Sequence, residues 1–592
     1  MISRRAWLTH STVSAALVGL GARCGHGPGP LPEPPLVEAQ STGIDVHSHV
    51  FNARDIPIAG FVTQVVLEGQ PLGQLALGPL AVLLSLIMDQ SAWPPDREQQ
   101  GLADGTLRPF AAPVVTASQT KEQVRSAAAV AIREMQNRSG RYAYFKARVS
   151  DHLKQARQVE HLAVMAAPDG GDAALLTFLA ARAGVRMPTR GSGVGPRLQE
   201  IAPQAAADGA VAIDDEVYGV FLLASLVTER RTDLVRRLSR LPTSSVDAAA
   251  IAMYNPALVD YSLWLDEPVS PLDQQIAVMS AIAAVRGRPY LVHPWVSFCP
   301  WRQLVEPEQM ALVQDAVRKK GFIGVKLYPV MGFRPIGNDN ASDSSTYPDR
   351  LRALPRWGDR LDRALSDLYD WCVAEDVPIT THCSFSQYPS KEAGLRGSPR
   401  EWRRVMQRPQ WRSLRLNLAH LGGVWDLANP ADNGWTADAI AMLAEFPNVY
   451  GDIADYDSIV GVTRDQRSIN AKVLPRLSSL VSSIAAARAK LMYGTDWVML
   501  SRAPGVDQYY SAMRDQVPLK LGVDQAAFLG QNASRFLGVD QPRRTHNTRQ
   551  RLEDFLELHG ISPQFLDRWN LNSVAGAGVH ASVRKDPRPH RY

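Results

Sequence analysis

Two histidines stand one residue apart near the start of the chain, at the end of a short apolar run. In the stretch GIDVHSHVFN, residues 43–52, His47 and His49 alternate with the apolar Ile44 and Val46. Because successive side chains of a β-strand point to opposite faces, both imidazoles would share the face opposite the apolar residues. Two neighbouring imidazoles are suited to form half of a metal site. A complete site would need further ligands from elsewhere in the chain.

Three more residues with ligand side chains close other short apolar runs. His382 lies in PITTHCSF, His420 in SLRLNLAHL and Asp496 in LMYGTDWVM. Alternation of side chains predicts His382 and Asp496 on an inner face. His420 shares its parity with the apolar Leu416 and Leu418, so we expect a bulge or the strand end to redirect it. Four histidines and one aspartate at one end of a sheet match a divalent transition-metal site with nitrogen and oxygen ligands.

Two basic residues near the fourth run could join this chemistry. Lys326, in IGVKLYPV, alternates with apolar residues and would point into the interior, where an ion pair or a substrate contact would have to offset the cost of its charge. Arg334, in GFRP, could bind a substrate carboxylate or be an ordinary surface arginine. Asp452 and Asp455, near the end of the seventh run, could line the pocket or cap a helix.

The apolar runs alternate with amphipathic helical segments. With the run that carries His47, eight strands are predicted, the other seven covering residues 257–265, 290–298, 323–330, 378–385, 413–421, 448–456 and 491–499. Helices are expected between them, for example at 271–286, 307–321 and 360–376, where apolar residues recur at three- and four-residue spacings. This is the pattern of an α/β fold, a parallel (β/α)8 TIM barrel, whose active site lies at the C-terminal ends of the strands.

The remaining segments are arranged around this barrel. The predicted organisation is a signal peptide and linker at 1–42, the first strand at 43–59, a helical insertion or cap at 60–248, the remainder of the barrel at 249–538, and a helical extension with a disordered tail at 539–592. Because the insertion follows the first strand, it would lie over the C-terminal ends of the strands and shape the pocket.

The N-terminus has the layout of an export signal. A charged opening precedes a short apolar run, and Ser-Arg-Arg-Ala-Trp-Leu at residues 3–8 resembles the twin-arginine motif, with Trp7 where phenylalanine is usual. This predicts export to the periplasm or the extracellular space. The alternative is a cytoplasmic protein with an N-terminal extension. Twin-arginine export carries folded proteins, which suits a chain already loaded with metal.

A second apolar segment, residues 69–88, contains no charged residue. Its length is close to the roughly 20 residues that span a bilayer, but glycines, a proline and two glutamines interrupt it. We expect a buried or interface helix from about Leu80 to Met88. The alternative is contact of this segment with a membrane surface or a partner subunit.

Composition excludes several classes of function. The net charge is +5 in 592 residues, and the basic residues are spread out, so no stripe for nucleic acid is present. The four cysteines have no CxxC spacing and do not indicate a disulfide framework or a zinc ribbon. The expected partner is a small-molecule substrate, and the composition is compatible with either a monomer or a homo-oligomer.

Six segments, in this order, carry a resemblance to a known family. DVHSHVF, GVKLYP, ITTHCS, LNLAHLGG, YGTDW and GQNASRFLG resemble the amidohydrolase superfamily, and within it the amidohydrolase-related branch that includes aminocarboxymuconate-semialdehyde decarboxylase-like enzymes. The resemblance covers about 43–58 and 250–538 and leaves out the insertion and the C-terminal extension.

The resemblance implies a barrel that depends on a divalent metal, commonly Zn²⁺, with one ion rather than two. Its metal ligands in this chain would be His47, His49, His382 and Asp496. His420 would polarise the substrate or the bound water, or bind a second metal. Some superfamily members carboxylate a lysine on the fourth strand to bridge two metals, and Lys326 holds that position here.

The implied activity is hydrolysis of a C–N or C–O bond in a small carbonyl substrate by metal-activated water. Asp496 would accept the proton of the water, and His420 would stabilise the developing oxyanion. Decarboxylating relatives use the same ligand set, so a nonoxidative carboxy-lyase is the alternative. A third possibility, of a different class, is a catalytically silent barrel used for binding.

Overall fold

The computed structural model describes residues 41–63, 81–107, 137–156, 226–244 and 250–570, apart from short gaps at 83, 87, 90–91, 138, 340, 387–388 and 430–433. The predicted export signal, most of the predicted insertion and the predicted disordered tail lie outside these residues.

The described strands are short, parallel and buried. They are β1 Gly43–Ser48, β2 Ile251–Pro256, β3 Leu291–Val292, β4 Trp295–Ser297, β5 Gly324–Leu327, β6 Ile379–Ser384, β7 Leu416–Gly422, β8 Val449–Asp452 and β9 Leu491–Met492. Each pairs in parallel with the next along the chain, except that β3 and β4 follow one another as two parts of the same barrel strand. Buried hydrophobic residues in these strands stand beside buried polar ones, such as Lys326, Asn417 and Asp452, which lie on the face inside the barrel.

Backbone hydrogen bonds close this sheet into a ring. A parallel bridge from Ala257 to Trp295 links the β1–β3 sheet with the β4–β9 sheet. At the other end, the Val46 N–H donates to the Tyr493 carbonyl at 3.3 Å, which joins the first strand to the last. With β3 and β4 counted as one strand broken at residues 293–294, the described strands form an eight-stranded parallel barrel. This confirms the predicted (β/α)8 fold.

Helices follow most of the strands and cover the barrel. The described α-helices are α1 Ile58–Phe61, α2 Pro95–Ala103, α3 Gly140–Ala156, α4 Arg231–Leu238, α5 Ser262–Leu265, α6 Leu272–Ala283, α7 Pro300–Val305, α8 Gln309–Lys319, α9 Asp349–Arg352, α10 Trp357–Ala374, α11 Lys391–Leu395, α12 Pro399–Met406, α13 Val424–Ala428, α14 Trp435–Glu445, α15 Arg464–Ser482, α16 Ala485–Arg488, α17 Tyr509–Leu521, α18 Asn532–Leu537 and α19 Thr548–Leu558. In α10, Leu361, Leu365, Leu368 and Cys372 are buried at three- and four-residue spacings, so one face packs on the barrel.

The second strand lies earlier than predicted. Residues 251–256 form it, whereas the predicted 257–265 contains the bridge residue Ala257, a loop and helix α5. The reason is polar: the Asp260 carboxylate in this loop accepts from the Arg302 guanidinium at 2.6 Å, which holds it outside the sheet. The third strand is also interrupted, because Pro294 has no N–H to donate to the ladder.

A buried ionic network ties described parts of the insertion to the loop after β1. Arg231, at the start of α4, donates to Asp55 at 2.6 Å and to Glu98 of α2 at 3.1 Å. All three side chains are almost fully buried. The same guanidinium also reaches the side-chain oxygen of Asn52 at 3.1 Å. The charges are therefore paired, and the network fixes two insertion helices beside the strand that carries His47.

The described part of the uncharged segment is buried within this chain. Leu84, Leu86 and Met88 are each at most 1 % exposed. This is consistent with the predicted buried helix; residues 69–80 lie outside the described part of the chain. None of the described helices combines the length and the apolar character needed to cross a membrane.

The C-terminal extension covers the N-terminal ends of the strands. Phe555 of α19 packs beside Gly321, just before β5, and Arg551 donates to the Glu375 carbonyl near the start of β6. The opposite end of the barrel is therefore the one that bears the candidate site.

Candidate functional site

The first strand presents its two histidines to the barrel mouth in a defined tautomeric arrangement. His47 and His49 are buried, and their ring centroids lie 5.5 Å apart. The Nδ1 of His47 lies 3.3 Å from an oxygen of Asp452, and the Nδ1 of His49 lies 2.9 Å from the Ala257 carbonyl oxygen. Since both partners accept hydrogen bonds, each Nδ1 carries the proton and each Nε2 keeps its lone pair. Metal-binding histidines commonly have this arrangement.

His420 reaches the same space through an irregularity in β7. His382 pairs with Ala419, but Ser384 pairs with Gly422, so β7 contains one extra residue beside β6. His420 itself has a φ of 66°. The irregularity expected from parity is therefore present and turns the side chain toward the mouth. Its Nδ1 lies 3.1 Å from the Ala454 carbonyl oxygen, which again leaves Nε2 with a lone pair.

Asp496 brings the carboxylate from the far end of the chain. One of its oxygens lies 3.2 Å from His49 Nε2 and 3.4 Å from His47 Nε2, and its backbone N–H donates to the His47 carbonyl at 2.8 Å. Burial raises the pKa of Asp496, but the contact with His49 and the fields of the neighbouring imidazoles, including His420, outweigh it and hold the pKa below its usual range. The carboxylate is therefore ionised at neutral pH.

Left-handed backbone conformations are concentrated at this rim. His420, Asp455 and Asp496 have φ values of 66°, 62° and 54°, although none is a glycine. Such conformations are uncommon for residues with a side chain and persist where the surrounding structure enforces them. Here they turn two of the proposed ligand side chains toward one point.

The ligand atoms of three residues converge most closely. His47, His420 and Asp496 each offer one atom, and these atoms lie within 4.8 Å of one another. His49 joins them through its contact with Asp496. The ring of half-buried His382 lies 4.6 Å from the ring of His420. The nitrogen and oxygen donors of this cluster fit the chemistry of a divalent transition metal.

Lys326 lies inside this cluster. Its Nζ is 2.9 Å from His47 Nε2 and 4.7 Å from the centre of the Tyr328 ring, and the side chain is fully buried. Burial lowers the pKa of Lys326 to about 8, against the fields of Asp452 and Asp496, which raise it. The inward orientation expected from alternation is therefore present.

Two neighbours of these histidines make contacts that the sequence did not reveal. Asp452 accepts from Asn417 at 2.6 Å and from the His420 backbone N–H at 3.0 Å, in addition to its contact with His47. Tyr328 places its hydroxyl 3.1 Å from His49 Nε2 and hydrogen-bonds Tyr261. The parity that places Lys326 in the interior applies equally to Tyr328, so that tyrosine had a usable signal.

A further buried acid, Asp45, joins the first barrel strand to the segment that follows the last one. Asp45 accepts hydrogen bonds from the Thr495 hydroxyl at 2.7 Å and from the Thr495 backbone N–H at 3.1 Å. Burial raises the pKa of Asp45 to about 7, although both bonds from Thr495 lower it. Because Asp45 lies two residues before His47 and Thr495 directly precedes Asp496, this contact holds two proposed ligands in register.

Arg334 is engaged elsewhere. Its guanidinium contacts Asp343, in the segment that follows β5, and lies 3.3 Å from Glu401, in the first turn of α12. These two carboxylates satisfy its charge, and its described contacts do not include the cluster of histidines.

Part of the barrel that carries this site is similar to a known protein family. Residues 282–539 match the model of the amidohydrolase family. A comparison with curated proteins found no match. Among solved structures, an uncharacterised TIM-barrel protein from Bordetella bronchiseptica is 16 % identical over 53 % of this chain and 84 % of its own, with a TM-score of 0.32.

Two other solved structures are similarly distant. An amidohydrolase from Burkholderia multivorans is 15 % identical over 51 % of this chain and 88 % of its own, with a TM-score of 0.33. A 2,6-dihydroxybenzoate decarboxylase is 13 % identical over 56 % and 94 %, with a TM-score of 0.30. These structural similarities are too low to support an argument, and the assignment depends on the family match, which covers six of the eight barrel strands. The comparisons therefore identify residues 282–539, the greater part of this barrel, as similar to the amidohydrolase family.

Proposed function

We propose that the protein is a hydrolase that uses one divalent ion, most simply Zn²⁺, to cleave a C–N or C–O bond beside a carbonyl group. The observation that carries this proposal is the set of imidazoles at the barrel mouth. His47, His49 and His420 each commit Nδ1 to an oxygen acceptor, so that Nε2 is available to a cation beside an ionised carboxylate. His47, His49, His382 and Asp496 would hold the ion.

The chemistry then divides between the ion and the chain. When bound, a divalent ion lowers the pKa of water from about 15.7 to about 7 and polarises carbonyl oxygens. Asp496 is ionised and lies within 3.4 Å of both first-strand histidines, so its carboxylate can take the proton that the attacking water releases. The Tyr328 hydroxyl, 3.1 Å from His49, is a donor suited to orient a substrate oxygen.

The role of His420 follows from its protonation. With Nδ1 donating to Ala454, neutral His420 offers only a lone pair at Nε2 and can bind a cation or accept a hydrogen bond from water. It can stabilise an oxyanion by donation only as the imidazolium. The proximity of His420 to His47 and Asp496 therefore supports an additional role as a ligand beside the proposed catalytic one.

One observation favours a decarboxylase as the second candidate. Lys326 is a buried cation at the floor of the same mouth, and it would attract a substrate that carries a carboxylate. A substrate held in this way could lose CO2 instead of undergoing hydrolysis. The same lysine, if carboxylated, would bridge two ions.

Metal analysis combined with turnover tests these proposals. Protein purified without chelators should contain close to one ion per chain and hydrolyse members of an amide, ester and lactone panel. Asp496→Asn should lose both the metal and the turnover, whereas the exposed-site control Asp96→Asn should lose neither. CO2 release without hydrolysis would favour the decarboxylase. A stoichiometry near two would bring Lys326 into the metal site. Unchanged metal content together with unchanged turnover in Asp496→Asn would contradict the proposed site and favour a silent barrel.

A further inference from the structure

A pair of tyrosines brings two hydroxyl groups to the candidate metal site. The Tyr328 hydroxyl lies 3.1 Å from Nε2 of His49, and the Tyr261 hydroxyl is hydrogen-bonded to Tyr328. The two phenol rings meet edge to face, with centroids 5.0 Å apart. Tyr328 is 8 % exposed, more than His49 at 3 % and His420 at 5 %, and Tyr261 is half-buried. The pair is therefore at least as accessible to a substrate as these histidines are.

The tautomer of His49 fixes the direction of the hydrogen bonds between these side chains. Its Nδ1 donates to the Ala257 carbonyl at 2.9 Å, so its Nε2 can only accept. A phenol has one proton, and Tyr328 uses it on Nε2, so the Tyr328 oxygen must be the acceptor for the proton of Tyr261. Burial raises the pKa of both phenols, which keeps both protons in place at neutral pH. The order of donation is therefore from Tyr261 to Tyr328 to His49.

Both phenols are also held by contacts outside this series of hydrogen bonds. Arg302 donates to the two carboxylate oxygens of Asp260, at 2.6 and 2.9 Å, and this bidentate pair anchors the residue next to Tyr261. The ring of Tyr328 stacks on the ring of His382, with centroids 5.6 Å apart. The Tyr328 oxygen consequently keeps its position, whereas its O–H bond can rotate.

The lone pair on Nε2 of His49 can serve one partner at a time. A cation held by His49 would take this lone pair from Tyr328, and the phenol proton would then need another acceptor. An oxygen of a substrate bound to the ion would be the adjacent one, because the phenol oxygen stays 3.1 Å from the nitrogen that binds the ion. Tyr261, which still donates to Tyr328, would polarise that O–H bond and strengthen it as a donor.

We propose that Tyr328 is a hydrogen-bond donor that changes its acceptor when the metal binds, and that Tyr261 is its positioning residue. Tyr328 covers Nε2 of His49 until a cation binds there, and it then donates to the substrate oxygen on which negative charge develops. Neutral His420 cannot donate from Nε2, so Tyr328 supplies the donor that this oxygen requires. The assignment deepens the proposed hydrolysis and rests on the metal site proposed there.

Zinc titration of chelator-treated protein tests the first part of the proposal. Tyr328→Phe keeps the ring and removes the hydroxyl that competes for His49, so its Zn²⁺ affinity should equal that of the unmodified protein or exceed it by up to about tenfold. A lower Zn²⁺ affinity in Tyr328→Phe would indicate a merely structural hydroxyl and would overturn the proposal. Absence of Zn²⁺ binding by the unmodified protein would overturn the metal site itself, and this assignment with it.

Acetohydroxamate is the probe for the second part, because its oxygens can bind a cation and accept a hydrogen bond without any turnover. In calorimetry of zinc-loaded protein, Tyr328→Phe should bind it about tenfold more weakly and Tyr261→Phe about threefold more weakly than the unmodified protein does. Imidazole, which offers the ion a nitrogen and no oxygen, should bind all three forms equally. Equal binding of acetohydroxamate to Tyr328→Phe and to the unmodified protein would overturn the proposal and leave the metal site intact.

A double variant tests the positioning role. Because Tyr261 acts through Tyr328, adding Tyr261→Phe to Tyr328→Phe should weaken acetohydroxamate binding no further, whereas additive losses would overturn this role. Tyr144→Phe removes a hydroxyl from a side chain that is 38 % exposed, and this matched control should equal the unmodified protein in both titrations. If Tyr328→Phe does not fold, Tyr261→Phe decides: acetohydroxamate binding as tight as in the unmodified protein would overturn the proposal.

Discussion

The Nδ1 atom of His47 lies 3.3 Å from the carboxylate of Asp452, which joins the first barrel strand to the seventh beneath the candidate metal site. Asp452 is fully buried and also accepts from Asn417 and from the backbone of His420. The fields of His47 and His420, with these hydrogen bonds, outweigh burial and hold the pKa of Asp452 below its usual range. One carboxylate therefore orients two proposed ligands.

Replacing this carboxylate should weaken metal binding without removing a ligand. We expect Asp452→Asn to lower metal affinity about 10- to 100-fold, because the amide no longer fixes the His47 tautomer. Competition with a metal-binding dye measures this affinity. The surface variant Asp438→Asn is the control, and an affinity in Asp452→Asn equal to that of the unmodified protein would refute the positioning role.

The raised pKa of Asp45 predicts a pH dependence of stability. Because the folded pKa of about 7 exceeds the ordinary value of 3.8, the folded state holds the proton of Asp45 more tightly than the unfolded chain does. The free energy of unfolding therefore falls as the pH rises from about 4 toward 7. Between pH 5 and 7 the loss amounts to about 2 kcal/mol. Asp45→Asn should abolish this pH-dependent loss of stability, so that its melting temperature rises relative to that of the unmodified chain as the pH increases.

Melting temperatures of chelator-treated protein at pH 5 and pH 8 provide the measurement. The exposed variant Asp96→Asn should follow the unmodified protein at both values. If Asp45→Asn shows the same pH dependence as the unmodified protein, then Asp45 does not hold its proton in the fold.

The network around Arg231 predicts a severe loss of stability. Arg231→Met would leave the carboxylates of Asp55 and Glu98 buried without their partner, which costs about 3–5 kcal/mol for pairs of this kind. Thermal unfolding and limited proteolysis measure the loss, and cleavage is expected first in the insertion.

Arg356→Met is the matched control, because it removes an exposed ion pair with Asp359 and should change stability by less than about 1 kcal/mol. Adding Asp55→Asn and Glu98→Gln to Arg231→Met should restore part of the stability. A melting temperature unaffected by Arg231→Met would mean that the network does not hold the insertion in place.

The export signal is a prediction from sequence. Because twin-arginine transport depends on the arginine pair, replacing Arg4 and Arg5 with lysine should retain the protein in the cytoplasm, whereas the unmodified chain should appear in the periplasmic fraction of an expressing bacterium. Fractionation followed by immunoblotting measures the distribution. The same distribution for both forms would exclude this route.

Local alternation was enough to predict much of the rim. On β1, Ile44 and Val46 pack in a hydrophobic cluster while His47 and His49 face the mouth, because a period of two is a property of the strand itself. At His420 two expectations from the sequence disagreed, because strand alternation placed its side chain on the same face as Leu416 and Leu418, whereas the proposed site required it to face the barrel mouth. The extra residue in β7 resolves it, but its position depends on pairing with β6.

Long-range pairing determined what the sequence could not predict. Residues 251–256 and 257–265 are adjacent runs with similar apolar content, and two distant contacts select the first as the strand: its pairing with β1 and the contact that holds Asp260 against Arg302. The contact between Arg231 and Asp55 joins positions 176 residues apart, and no local pattern indicates it. Asp452 likewise acquires its role from His47, which lies 405 residues earlier in the chain.

The hydrogen bonds from Thr495 to Asp45 have a consequence for the order of events during synthesis. These positions are 450 residues apart, so the carboxylate of Asp496 cannot meet the imidazoles of the first strand before nearly the whole barrel has left the ribosome. Cation capture by this set of side chains therefore belongs to the final stage of maturation, and a tightly held ion would mark a chain whose ring has already closed.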